Sequence, residues 1–189
     1  LGRAVWSPAA RAAADAASGY CDLEMSLETG ERGGRTQGVR DRILALTGAE
    51  DMVVVNNCAA ALLLALTALA RDREVLVSRG ELVEIGGSFR VPDIIEAGGA
   101  RLRPVGTTNR TRIGDFEAAA GADSAVLLTV HPSNFRIEGF TETPDRVSRQ
   151  RAARELGLLH VEDAGSGALD EGEGEPGIRE AVAAGVDLV

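Results

Sequence analysis

The stretch RQRAARELGLLHVEDAGSG, residues 149–167, carries three patterns in succession. Arg149–Leu156 is made of helix formers and stops at Gly157. The apolar pair Leu158-Leu159 leads into His160 and Val161, and Glu162 and Asp163 follow, ahead of the small residues Ala164-Gly165-Ser166-Gly167. A helix feeding a short apolar strand is part of a βαβ unit, and repeated units of this kind imply a mostly parallel sheet with helices on both faces.

The alternation continues outward from this stretch. Apolar runs at 52–55 (MVVV), 74–78 (EVLVS), 101–105 (RLRPV), 125–130 (AVLLTV) and 158–163 (LLHVED) read as strands. They alternate with helical stretches at 58–70, 90–97 with Pro92 early, 115–120, 143–157 and 177–184. The expected fold class is α/β, and Asp187-Leu188-Val189 reads as the start of a further strand. Upstream, Ser7-Pro8 opens an Ala-rich helix that the spacing carries to Gly19. The polar, glycine-rich LETGERGGRTQG follows at 27–38, and Val39, Ile43, Leu44 and Leu46 recur at helical spacing up to Gly48. The expected division is an N-terminal helical segment, 1–48, and part of a larger α/β domain, 49–189.

Composition narrows the function classes. With 189 residues and 44% hydrophobic content the chain can bury a core, and with aromatics at 3% that core must be Ala, Leu, Val and Ile. A net charge of −9 argues against nonspecific nucleic-acid binding by this stretch. Cys21 and Cys58 lie far apart without a paired C-x-x-C, which suggests neither a disulfide framework nor a zinc site and fits a reducing cytoplasm. The longest apolar run, Cys58–Ala70, is too short to span a bilayer, and residues 1–20 lack the regions of a signal peptide, so a soluble, cytoplasmic protein with no membrane partner is expected. The acidic DEGEGEPG, 170–177, reads as a solvated loop. All 20 Lys+Arg residues are arginine, so the chain has no lysine.

In open α/β sheets ligands bind beyond the carboxyl ends of the strands. After Val55 comes Asn56-Asn57-Cys58-Ala59-Ala60, a polar turn entering a helix, where free N–H groups and the positive helix end suit an anion. That Asn57 merely caps the helix stays open beside this reading. The exit at 78–90, SRGELVEIGGSFR, gathers Arg79, Glu81, Glu84, Gly86 and Gly87; the exit at 106–111, GTTNRT, is dense in hydrogen-bonding side chains; HPSNF, 131–135, offers His131, Ser133 and Asn134 at a turn set by Pro132. Asp163 ends its strand in apolar surroundings, where a carboxylate is costly unless it meets a cation. The protonated ring nitrogen of pyridoxal phosphate is such a cation. An N-cap role and a metal-ligand role stay open for Asp163, although two histidines without ligand spacing disfavour a metal. Glu162 is expected on the opposite face of the strand.

These residues sit within longer stretches that resemble the L-seryl-tRNA(Sec) selenium transferases, the bacterial selenocysteine synthases. The stretches are LGRA (1–4), SGYCDLEMSLETGERGGR (18–35), LTGAE (46–50), VVNNCAAALLLAL (54–66), SRGELVEIGGSFRVPDI (78–94), GTTNRT (106–111), HPSNFRIEGF (131–140) and DAGSG (163–167). The resemblance implies a pyridoxal-phosphate enzyme of the aspartate-aminotransferase fold type, with the glycine-rich loop of the first segment at the active site or a subunit interface. It implies conversion of seryl-tRNA(Sec) to selenocysteinyl-tRNA(Sec) with selenophosphate, by elimination to an aminoacrylyl intermediate and selenium addition, in a homo-oligomer built from dimers. It assigns Arg79 and Asp163 to catalysis and Asn57, Cys58, Ala59, Ser133, Asn134, Asp163 and Ser166 to the cofactor. Arg32, Arg35, Arg79, Thr107, Thr108 and Asn109 face the substrate or a neighbouring subunit.

Two departures stand out. Family members often show Asn where Cys58 stands. The family's cofactor-binding lysine lies in an S-G-D-K type segment just past the strand that GVDLV begins, so the chain reads as an internal fragment that forms no covalent cofactor adduct alone. The alternatives are a related pyridoxal-phosphate lyase acting on an amino-sugar phosphate or small amino acid, and a non-catalytic scaffold of the same fold.

Overall fold

The β-branched and aliphatic EVLVS suits a strand covered on both faces, and it forms a central strand, β1 (Glu74–Ser78). The computed structural model describes residues 5–85, 89–172 and 174–189. Around β1 lie β4 (Arg101–Val105), β5 (Ser124–Val130) and β6 (Leu159–Asp163), in the order β4-β1-β5-β6 with every neighbouring pair parallel. A short antiparallel pair, β2 (Glu84–Ile85) and β3 (Phe89–Arg90), stands apart. The helices are α1 (Pro8–Ala16), α2 (Gln37–Thr47), α3 (Cys58–Leu69), α4 (Val91–Ala97), α5 (Ile113–Ala119), α6 (Arg146–Leu156) and α7 (Ile178–Ala183). The chain divides into two compact units, Leu1–Met52 and Val53–Val189.

Strand alternation separates two cores in the second unit. Val75, Val77, Val126, Leu128 and Val161 face α3 and α4, packing with Leu62, Leu66, Val91 and Ile95. Leu76, Val105 and Leu127 point the other way, onto Phe116 of α5 and Ala153 of α6. The α/β class with helices on both faces is therefore what the chain forms. Beyond β6, the expected further strand is represented by one parallel bridge, Val161 with Leu188, and the Glu162 N–H bonds the Leu188 carbonyl at 2.9 Å.

The strand expected at 52–55 does not form. Val53 and Val54 are 76% and 58% exposed. No described strand lies alongside to pair their backbone groups, and apolar β-branched composition makes no strand without a ladder. Helix ends move inward for local reasons. α6 starts after Asp145, whose carboxylate accepts the Ser148 N–H at 2.8 Å, and stops at Gly157 in the left-handed region. α1 ends at Ala16 rather than reaching Gly19; Ser7 caps its start and no described residue of it is buried. The acidic stretch 170–177 is a loop whose Asp170, Glu171, Gly172 and Gly174 are exposed; bridges Ala168–Gly177 and Gly172–Glu175 tie it down, and Gly177 is buried at its end. Gly86 and Gly87 lie outside the described residues.

Candidate functional site

Asp163 is the last residue of β6, and the period of two sends it with Val161 to the α3 side while His160 and Glu162 face α6. Its carboxylate is buried, at 8% exposure. Oδ1 accepts the Cys58 thiol at 3.2 Å and the Gly165 N–H at 2.9 Å. Oδ2 is buried and has no hydrogen-bond partner among the described residues. A buried carboxylate oxygen without a donor is unfavourable, and a ligand bringing an N–H to that atom would relieve it.

The start of α3 supplies the second part of the site. Asn57 adopts an extended backbone and its Oδ1 accepts the Ala60 N–H at 2.8 Å, so it does cap the helix. The N–H groups of Cys58 and Ala59 have no partner among the described residues, and the helix dipole adds positive potential there. Cys58 links the two parts. Its thiol is pushed up to about 12, first by desolvation and then by the neighbouring Asp163 charge and hydrogen bond, so it remains an S–H donor. Asp163 Oδ2 could take a cationic N–H of a cofactor, and the free N–H groups at the start of α3 could take an anionic group.

The turn after Asp163 is shaped by Gly165 at φ +66°, where a side chain would also meet His131 and Ser133 at 3.6 Å. Ser133 thus lies against the Asp163 turn. Ser166 sits exposed in the same turn. Asn134 donates to the Glu84 carbonyl at 3.2 Å, tying the β5 exit to the segment after β1.

Other expected residues are not gathered at Asp163. Arg79 donates to the carbonyls of Pro104 and Gly106, at 3.3 and 3.0 Å, at the β4 exit. Thr107 donates to the Arg110 carbonyl within its own turn, and Asn109 donates to the Phe140 carbonyl, tying that turn to the segment before Glu142. The Thr108 carbonyl packs so close to Gly80 that a Cβ there would stand 2.6 Å from it. A cleft of about 630 Å³ beside this turn is lined by Arg79, Arg103, Arg110 and Arg112 among others, but not by Asn57, Cys58 or Asp163. Arg110 and Arg112 both pair with Glu142, whose carboxyl is held below its ordinary range by Arg112 first and Arg110 second. In the first unit, Arg32 and Arg35 both pair with Glu24. Among the described residues no group of His, Cys, Asp and Glu could hold a metal ion, and no helix is long and apolar enough to cross a membrane.

On the α6 face lies a polar network that the strand-exit reading missed. Arg149, 2% exposed, pairs with Glu81 at 2.5 Å and donates to Thr129 Oγ1 at 2.9 Å. Thr129 bonds His160 Nε2 at 2.9 Å, and His160 Nδ1 meets Gln150 Oε1 at 3.0 Å. Arg146 clasps Glu162 through two bonds of 2.7 and 2.8 Å. One signal was available: Arg149, Ala152, Ala153 and Leu156 share a helical stripe, so Arg149 falls on the side turned to the sheet.

Comparison with known proteins gives the family and the fold. The family model of L-seryl-tRNA selenium transferase matches residues 1–189. The L-seryl-tRNA(Sec) selenium transferase of Moorella thermoacetica is 52% identical over all of this chain and 42% of its own length, and that of Solidesulfovibrio magneticus is 51% identical over the same shares. The chain thus spans about two fifths of these relatives. Among solved structures, D-glucosaminate-6-phosphate ammonia-lyase superposes with a TM-score of 0.68 at 24% identity, covering 94% of this chain and 47% of that one. An aspartate aminotransferase from Thermus thermophilus gives 0.52 at 18% identity, over 76% and 38%. These likenesses give the fold, that of the large domain of aspartate-aminotransferase-like, fold type I enzymes. With the family match running from the first residue to the last, the chain belongs to the L-seryl-tRNA selenium transferase family.

Proposed function

We propose that this chain forms the cofactor-holding core of a pyridoxal-phosphate-dependent transferase that converts seryl-tRNA(Sec) to selenocysteinyl-tRNA(Sec) with selenophosphate. One observation carries the cofactor part: the unpartnered, buried Oδ2 of Asp163 beside the free N–H groups at the start of α3. Whole-chain identity of about half to selenium transferases supports the substrate part.

Asp163 would hold the ring nitrogen, with Cys58 and Gly165 fixing its other oxygen so that Oδ2 alone faces the ligand. The backbone at Asn57-Cys58-Ala59 would hold the phosphate, and the small turn 164–167 leaves room for the ring. When bound, the cofactor supplies an electron sink for chemistry at the serine α- and β-carbons. The Asp163 carboxylate would hold the proton on the ring nitrogen and so sustain that sink. Ser133, seated against the Asp163 turn, offers a hydroxyl near the ring edge. Arg79, Thr107, Thr108 and Asn109, and Arg32 and Arg35 of the first unit, are the proposed contacts to substrate or to a neighbouring subunit of a homo-oligomer.

The test is to incubate the protein, as its gene encodes it, with pyridoxal phosphate, selenophosphate and seryl-tRNA(Sec), and to assay selenium on the tRNA. Selenium incorporation that depends on the cofactor is expected. Cofactor uptake with turnover of a small amino-sugar phosphate instead, and none of seryl-tRNA, would establish the lyase reading.

A further inference from the structure

A buried ion pair gains little over apolar residues of the same volume, because lost hydration offsets the attraction. Arg149 and Glu81, 2% and 7% exposed, nevertheless form such a pair across 68 positions of sequence. Their remaining bonds indicate why. Glu81 Oε2 accepts the Val130 N–H at 3.2 Å, at a point where β1 has already ended at Ser78 and can no longer pair with β5. The carboxylate continues the ladder in place of a strand. Arg149 holds that carboxylate from α6, and is itself fixed by bonds to Thr129 Oγ1 at 2.9 Å and the Pro144 carbonyl at 3.1 Å. One residue on, the His131 N–H bonds the Asp163 carbonyl at 2.9 Å. The exit of β5 is thereby clamped between Glu81 and the backbone of Asp163, with His131 and Ser133 seated against Gly165.

We propose that Arg149 is a positioning residue for the cofactor site: acting through Glu81, it fixes the β5 exit, residues 130–134, against the turn that carries Asp163. The inference rests on the cofactor reading above. Arg149 touches neither cofactor nor substrate; it sets where Ser133 and its neighbours stand.

A double-mutant cycle with Arg149→Met and Glu81→Gln tests it, in the protein as its gene encodes it. Two quantities are read: urea unfolding, and affinity for pyridoxal phosphate from the absorption change on binding. Arg149→Met alone strands the Glu81 charge and should lose stability. The double variant removes both charges while Gln still accepts the Val130 N–H, and should regain most of that loss. Positioning requires that the double variant, although stable, bind pyridoxal phosphate about tenfold more weakly, the size of effect typical of residues that orient a ligand-contacting group. Should the double variant fail to fold, Arg149→Lys gives the same reading, since it keeps the charge and loses the fork of hydrogen bonds. Full wild-type affinity in the stable double variant, or in Arg149→Lys, overturns the proposal and leaves the pair a packing feature. A wild-type protein that takes up no pyridoxal phosphate overturns the cofactor reading itself, and this inference with it.

Discussion

The two faces of the parallel sheet treat buried charge in opposite ways. On the α6 face Glu162, Glu81, Arg149 and His160 are buried, and each meets a partner of matching charge or hydrogen-bonding capacity. On the α3 face Asp163 is buried as well, with Oδ2 unmet by any described residue. Neighbouring residues of one strand, Glu162 and Asp163, thus have opposite fates. A completed network specifies and rigidifies a fold; an incomplete one marks where a ligand is to supply the missing partner. On the proposed reading the second face binds the ligand, while the first holds the fold and, through Arg149, the position of the β5 exit.

The largest expected effect breaks the satisfied face. Arg149→Met should lower unfolding free energy by about 3–5 kcal/mol, the range seen when one partner of a buried pair is removed, and urea titration reads it directly. A loss below about 1 kcal/mol would mean that the face is not sealed. Next comes pH. Burial first, with Arg149 contributing, pushes His160 down from 6.5 to about 4, so the fold holds the neutral ring. The unfolded chain therefore takes up the proton first as pH falls. The stability from neutral His160 is complete above about 6.5 and declines as pH falls from there towards about 4, by on the order of 3 kcal/mol. The difference between wild type and His160→Asn across that window isolates it; parallel curves would contradict the assignment. Asn57→Ala, which removes the α3 cap, should lose about 1 kcal/mol. The smallest effect belongs to the unsatisfied face: Asp163→Asn should stay within about 1 kcal/mol of wild type, or exceed it, because a charge with an unmet oxygen leaves the interior.

Much of this arrangement was legible in the sequence for definite reasons. EVLVS and RLRPV form strands with the expected bounds because apolar runs flanked by polar turns leave the ladder little freedom to slip. The period of two separated Asp163 from Glu162, and the Asn57 cap reading followed from a polar residue ahead of an Ala/Leu helix. The run 52–55 misled because pairing depends on a neighbour that composition does not reveal. The Cys58–Asp163 bond and the Glu81–Arg149 pair join residues 105 and 68 positions apart, and no local pattern encodes such a meeting. The exits at 79 and 106–109 read as open binding groups. Their hydrogen bonds are instead spent on neighbouring carbonyls, which only the folded turns disclose.

On the proposed reading Asp163 Oδ2 is kept free for a protonated ring nitrogen. The most direct measurement is pyridoxal-phosphate affinity of wild type and Asp163→Asn, read by absorption titration alongside urea unfolding, in the protein as its gene encodes it. At least about tenfold weaker binding by Asp163→Asn is expected, equivalent to about 1.4 kcal/mol or more, with stability preserved. Equal affinity in the two proteins would contradict it.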